Sequence, residues 1–469
     1  MSESQPGFGE SRGQPIHGGE GVTRRPVFRL AEAVLLFLFL LLPMMLLLGA
    51  AEGTVGRPTL LFWVSWLVPF LMLPWLWSRR NPEESIEPQS AVDRAIIITN
   101  RAASDFGRVV TPVLDVGRTY VRGGLTIAEG RLKTTPSIAL DQLQGLLAPQ
   151  RRTPLIESVG NGVARVIGLP GTVTDGVQRR SRLWVNALLL LATIVTTVWA
   201  GALHQGIDLL AAPEQLLVGV PYAVALLAIL GIHEMGHFIV ARWHGVDVTW
   251  PYFIPVPMGL GTLGAFIQIK SLIKSRRAVF DVGIAGPLAG LFIAIPVLLV
   301  GLSQAEPLGG GETLRGTRAG TSILLALLYQ LVHGGDLATA AAATIRLTPI
   351  AFAGWIGLVV TALNLLPVGQ LDGGHIAYGL FGRRYARAIG LGTFVLMFIL
   401  GLSVWPGLLT WAIFIALVAG FSHMPALDDI TPPDGKRFAL GAFAMALLAA
   451  IVLPLPEGLI GMMLDCPYF

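Results

Sequence analysis

Apolar positions in this chain gather into long unbroken runs rather than the mixed faces of a soluble fold. Runs at 30–50, 58–77, 183–202, 217–243, 279–302, 347–366, 386–404, 405–421 and 437–454 reach or approach the roughly 20 residues a helix needs to cross a bilayer. They predict about nine transmembrane helices. The stretch TSILLALLYQLVH near 321–333 is apolar but too short to cross, and reads as interfacial or re-entrant. Residues 79–182 break the pattern, being polar and basic. Within them 119–132 has strand character, and 136–147 spaces its leucines like a helix, with Ser137 as candidate N-cap. Residues 153–168 read as a hairpin across Gly160-Asn161-Gly162. The expected fold is a polytopic α-helical membrane protein with a small α+β soluble domain.

The same pattern divides the chain into five parts. They are a disordered N-terminal tail (1–29), a transmembrane hairpin (30–78), a cytoplasmic region (79–182) with its α+β domain at about 115–170, a membrane core (183–425), and a C-terminal span and tail (426–469). Composition agrees: 53% of residues are hydrophobic and 13% charged, about half the charged share of a soluble protein. The net charge of +4 sits mostly in loops, so it sets topology and gives no nucleic-acid signal. Cys466 is the single cysteine, which excludes an intramolecular disulfide and a cysteine-based zinc site. Basic residues cluster before 30, across 79–182, at Lys270, Lys274, Arg276 and Arg277, and at Arg383, Arg384 and Arg387. The positive-inside rule puts all of these in the cytoplasm. The loop 203–216 has no Lys or Arg and falls outside, while Arg315 and Arg318 are a mild exception. Glu3, Glu10 and Glu20 argue against an organellar transit peptide, and the run at 30–50 is too long for a cleaved signal. The expected location is therefore a bacterial inner membrane, ahead of a thylakoid or plastid membrane.

One apolar run carries ionisable groups. His233-Glu234-Met235-Gly236-His237 lies within VGVPYAVALLAILGIHEMGHFIVARW. Two histidines four apart share one helix face and can grip one metal ion, with the glutamate beside them. Each charged residue at membrane depth costs roughly 2.5–3.5 kcal/mol on insertion scales, so a chance cluster among Leu230, Phe238 and Val240 is disfavoured. A catalytic zinc usually takes three protein ligands, so one is missing. The best candidate is Asp372, in NLLPVGQLDGGH (364–375), where Pro367 ends a span and Gly369, Gly373 and Gly374 permit unwound backbone. Position 243, where a metzincin would carry its third histidine, is Trp. His375 stays open, either as a contributor or as a loop histidine bonding backbone. On the charge topology, both pieces reach the cytoplasmic side.

HEMGH (233–237) and NLLPVGQLDGG (364–374) together resemble the site-2 protease family of intramembrane zinc metalloproteases, the second piece matching its Asn-x-x-Pro-x-x-x-x-Asp-Gly pattern in full. FIPVPMGLGTLGAFIQIKS (253–271) and DVGIAGPLAG (281–290) resemble the branch typified by the plant ethylene-dependent gravitropism-deficient proteins. The resemblance covers about 115–425. It implies Zn2+ held by His233, His237 and Asp372, Glu234 as base, and a transmembrane protein substrate cut within the lipid bilayer. It also implies a membrane-associated β-hairpin near the site, formed by the β-like stretch 264–270. Phe266, Ile267 and Gln268 are the candidates for pairing with an extended substrate, and Asn364 for donating to its backbone or oxyanion. Gly286 and Gly290 read as close helix packing near the site. A membrane metal transporter and a non-catalytic scaffold retaining the fold are the alternatives. The first would want polar groups spread along a path, and the second is disfavoured by the intact base and ligand set.

Overall fold

A computed structural model of the chain describes residues 101–455, apart from Gly123, 172–182, Met258, 306–316 and most of 404–424. The tail at 1–29, the runs at 30–50 and 58–77, and most of that at 405–421 lie outside the described residues.

The polar region folds as an antiparallel sheet of β1 (Leu114–Arg122), β2 (Leu125–Leu132), β3 (Arg152–Gly160) and β4 (Val163–Pro170), in the order β1-β2-β4-β3. Asn161 (φ 52°) and Gly162 (φ 74°) turn β3 into β4, a left-handed pair that Asn and Gly tolerate. One sheet face packs on helix α1 (Pro136–Leu147) and on helical residues 101–110, burying Phe106, Leu140, Leu143, Leu147 and Val166. The opposite face carries a row of alternating charge set by strand register. Arg118 faces Glu129, Glu129 faces Arg165, and Arg165 faces Glu157. Glu129 accepts from Arg118 Nε at 2.5 Å, from Arg165 Nε at 2.8 Å and from the Tyr120 hydroxyl at 2.9 Å. Burial opposes ionisation of Glu129, but these three donors outweigh it and hold its carboxyl at about 2, below the ordinary 4.5. A folded-state value below the unfolded one stabilises above pH 4.5, and that contribution fades as pH falls toward 2. The unfolding-temperature gap between wild type and Glu129→Gln is therefore expected to be full at neutral pH and to close below pH 4.5. A gap of constant size across that range would show that the charge is not what the sheet uses.

Among the described residues five helices are long and apolar enough to cross a membrane: Leu183–Leu203, Pro213–Trp243, Arg276–Ser303, Asp372–Ser403 and Gly435–Val452. The first, third, fourth and fifth are labelled here α2, α4, α8 and α9. The α-helical part of the second, Val220–Trp243, is α3. Ile323–His333 (α5) is short, as expected, Leu337–Ala342 (α6) is shorter still, and the run at 347–366 forms the 17-residue α7 (Pro349–Leu365). The run at 386–404 is part of a longer helix that begins at Asp372 and kinks at Gly382 (φ 78°, ψ 172°). Arg383, Arg384 and Arg387 dilute its hydrophobicity, which hid that start. The pair β7 (Thr317–Arg318) and β8 (Thr344–Ile345) forms a two-residue ribbon.

Helix α4 is central, packing on α3, α7 and α8. Its N-cap Ser275 accepts from Ala278 N at 3.3 Å. The hairpin of β5 (Tyr252–Pro255) and β6 (Thr262–Phe266) pairs Tyr252 with Phe266 and Phe253 with Ala265. The four-stranded sheet is hydrogen-bonded to the membrane helices through residues 426–429. Ile156 donates its N–H to Leu427 O (2.8 Å) and accepts from Asp429 N (3.0 Å). On the other flank Leu427 N reaches Ile273 O (3.0 Å) and Asp428 N reaches Lys274 O (2.9 Å). Arg383, just past the α8 kink, also pairs with Glu157, extending the charged row onto a membrane helix.

Candidate metal centre

His233 and His237 lie one turn apart on α3, both buried, with ring centroids 4.9 Å apart. Asp372 reaches them because the chain unwinds between two helices. Leu366 is extended (ψ 127°), as a residue before proline must be, and Pro367 cannot continue α7. Gly369 (φ 50°) then turns the backbone so that α8 starts at Asp372 itself.

The three donor atoms form a nearly equilateral triangle. His233 Nε2 and His237 Nε2 are 3.2 Å apart, and Asp372 Oδ2 lies 3.3 Å from the first and 3.2 Å from the second. A tetrahedral zinc site with ligands at about 2.0–2.1 Å has donor–donor edges of roughly 3.3–3.4 Å, so this triangle fits the ion. Among the described residues these three form the group of His and carboxylate side chains able to hold a metal.

The surroundings fix the triangle. His237 Nδ1 lies 2.7 Å from Val282 O, so Nδ1 donates there and Nε2 is left as the donor atom to a metal. Pro287, inside α4, has no N–H to offer the Gly283 carbonyl, which follows Val282. Glycines of α4 supply room. A Cβ at Gly286 would overlap the His237 ring, one at Gly290 would lie 3.0 Å from His233 Nδ1, and one at Gly283 would lie 2.6 Å from His375 Cβ. Gly236, between the two histidines, lets α3 approach α4, since a Cβ there would come 2.6 Å from Ala285 O.

A cavity of about 220 Å³ opens onto the triangle. Glu234 lines it, buried, with the backbone N–H of Ile267 bonded to its carboxylate. Asn364, Phe266 and Ile267 line it too, and Asn364 Nδ2 sits 3.3 Å from His233 Nε2. Gln268 is not in this wall. Strand β6 ends at Phe266, and the Gln268 backbone is taken by Thr249, donating to its Oγ1 (2.9 Å) and accepting from its N (3.0 Å). His375 lines the cavity but stands outside the donor triangle, its Nδ1 2.9 Å from Leu371 O. Sequence reasoning missed Gln370, another lining residue, and the Val282 carbonyl.

Residues 221–402 match peptidase family M50. The chain is 36% identical over 239 residues to the probable zinc metalloprotease EGY1, chloroplastic, of Arabidopsis thaliana, covering 50% of this chain and 42% of that protein. It is 35% identical over 246 residues to the rice protein of the same name, covering 50% and 40%. It is 31% identical over 259 residues to the probable zinc metalloprotease EGY2, chloroplastic, of Arabidopsis thaliana, covering 54% and 46%. The chain thus spans less than half the length of these relatives. No solved structure matches it.

Proposed function

We propose that this chain, whose residues 221–402 form a peptidase family M50 domain, is an intramembrane zinc endopeptidase that cuts peptide bonds in or beside transmembrane segments of membrane proteins. The observation that carries the reading is the His233–His237–Asp372 triangle, sized for zinc, with Glu234 in the same cavity among membrane helices. His233, His237 and Asp372 would hold Zn2+. When bound, zinc polarises a carbonyl and acidifies a water molecule. Glu234 takes the proton of the attacking water and hands it to the departing amine nitrogen. Asn364 donates to the substrate carbonyl from the rim of the triangle. The free edge of β6, with Phe266 and Ile267 against the cavity, pairs with a substrate unwound into a strand.

The partners are a transmembrane protein substrate and the lipid bilayer. Charge topology directs the site to the cytoplasmic face, and the apolar runs support about nine spans in all. The chloroplast named for the relatives favours a plastid-type membrane over the bacterial inner membrane expected from the N-terminal segment. The test is reconstitution of the full chain in proteoliposomes with labelled transmembrane segments. Cleavage is expected with zinc, is lost on chelation and returns on zinc addition. Zinc flux across the bilayer without cleavage would instead identify a metal transporter.

A further inference from the structure

The first segment of α8 places Asp372 at the donor triangle, and the glycines beside it let the backbone pack closely, since a Cβ at Gly373 would overlap Leu365 O. Gly369, Gly373 and Gly374 flank it, and the stretch 366–371 is closed by short-range bonds such as Val368 N to Leu366 O (2.7 Å). Ile376 then packs against Ile284 and Leu365, and polar side-chain anchors follow farther along. Buried Arg276 donates to Gly379 O (3.1 Å) and Leu380 O (2.8 Å), capping the segment before the Gly382 kink. Tyr378, fully buried against Val279 and Ala426, donates its hydroxyl proton to Asp429 Oδ1 at 2.6 Å and accepts from Ala426 N at 2.8 Å. Its partners belong to residues 426–429, which are themselves held between β3 and 273–274. A single phenol thus joins the Asp372 helix to the strand-like segment that also fastens the four-stranded sheet.

We propose that Tyr378 is a positioning residue for the third metal ligand, its hydroxyl locking the Asp372 segment to residues 426–429 and so keeping Asp372 Oδ2 within reach of the His233 and His237 nitrogens. The proposal rests on the reading of Asp372 as a ligand. Tyr378 touches neither the metal nor the substrate and acts through the helix it anchors. The soluble sheet then has a part in the site: it is one of the two flanks that keep the anchor still.

The experiment measures Zn2+ affinity of the full chain in detergent by competition with a chromophoric chelator, together with the Co2+ absorption spectrum. Tyr378→Phe is expected to weaken zinc binding by about 10–100-fold, the range seen when partners behind metal ligands are lost, and to shift the Co2+ bands. Asp429→Ala is expected to do the same. Asp429→Asn, whose amide oxygen still accepts the phenol proton, is expected to retain affinity within about threefold, well short of that range. Zinc affinity and Co2+ spectrum unchanged in Tyr378→Phe, with only a lower unfolding temperature of the metal-free chain, would overturn the proposal. If Tyr378→Phe does not fold, the two Asp429 variants decide it on the same terms. Asp372→Ala separates the two readings. If it binds zinc as tightly as wild type while His233→Ala does not, the ligand assignment itself is wrong.

Discussion

Replacing Glu234 with Gln is expected to lower the rate of transmembrane-segment cleavage by about 10²–10⁴-fold, the usual worth of a positioned general base, while zinc stays bound at one equivalent. Gln keeps the shape and the hydrogen-bonding oxygen that faces the Ile267 N–H, so the cavity wall is preserved. What it removes is the capacity to accept a proton. Glu234 is also outside the donor triangle, so metal retention follows from the geometry. Single-turnover cleavage by zinc-loaded variant and wild type checks this. Wild-type rates in the variant would assign the proton transfer to another group.

The second large effect is expected at a residue with no chemistry of its own. Gly286→Ala adds one methyl where the His237 ring lies, on the backbone of the central helix. Helix propensity alone would make the change favourable by about 1 kcal/mol. The overlap should win, because the ring is held on its other side by the Nδ1 bond to Val282 O and cannot retreat without giving up that bond. Zinc affinity is expected to drop by at least the 10–100-fold typical of disturbed ligand support, with cleavage falling in parallel. Gly392→Ala, on α8 with nothing within 4 Å of its added Cβ, is the matched control and should leave both unchanged. Equal zinc content in Gly286→Ala and Gly392→Ala would sink the argument.

How much was legible in the sequence depends on how local each feature is. HEMGH was readable because a helix brings residues four apart onto one face, and the tract 364–374 because Pro and Gly advertise a break in an apolar run. The hairpin across Gly160–Gly162 was readable from turn chemistry, and Gly286 and Gly290 from their small-residue spacing. Gln268 was misplaced because two-residue alternation across 264–270 does not reveal a change of partner. The strand pairs with β5 up to Phe266, and the chain then bonds with 247–249 instead. The kink at Gly382 was hidden because the Arg276 guanidinium that caps Gly379 O and Leu380 O there comes from another helix. The charged row was invisible for a similar reason: it exists only once strand register sets Arg118, Glu129, Arg165 and Glu157 side by side.

The insertion of residues 426–429 beside β3 also bears on the order in which the chain can mature. Synthesis proceeds from the N-terminus, so β3 emerges long before the segment that closes its edge. Until then Ile156 presents an unpaired N–H and carbonyl, the kind of open edge on which chains mispair. The later segment covers that edge and, through Ala426 and Asp429, grips Tyr378 in the same step. A nascent chain that stops short of it already contains His233, His237 and Asp372 but lacks the partners of the Tyr378 hydroxyl. The contacts of Tyr378 with Ala426 and Asp429 therefore form only when nearly the whole polypeptide has been made.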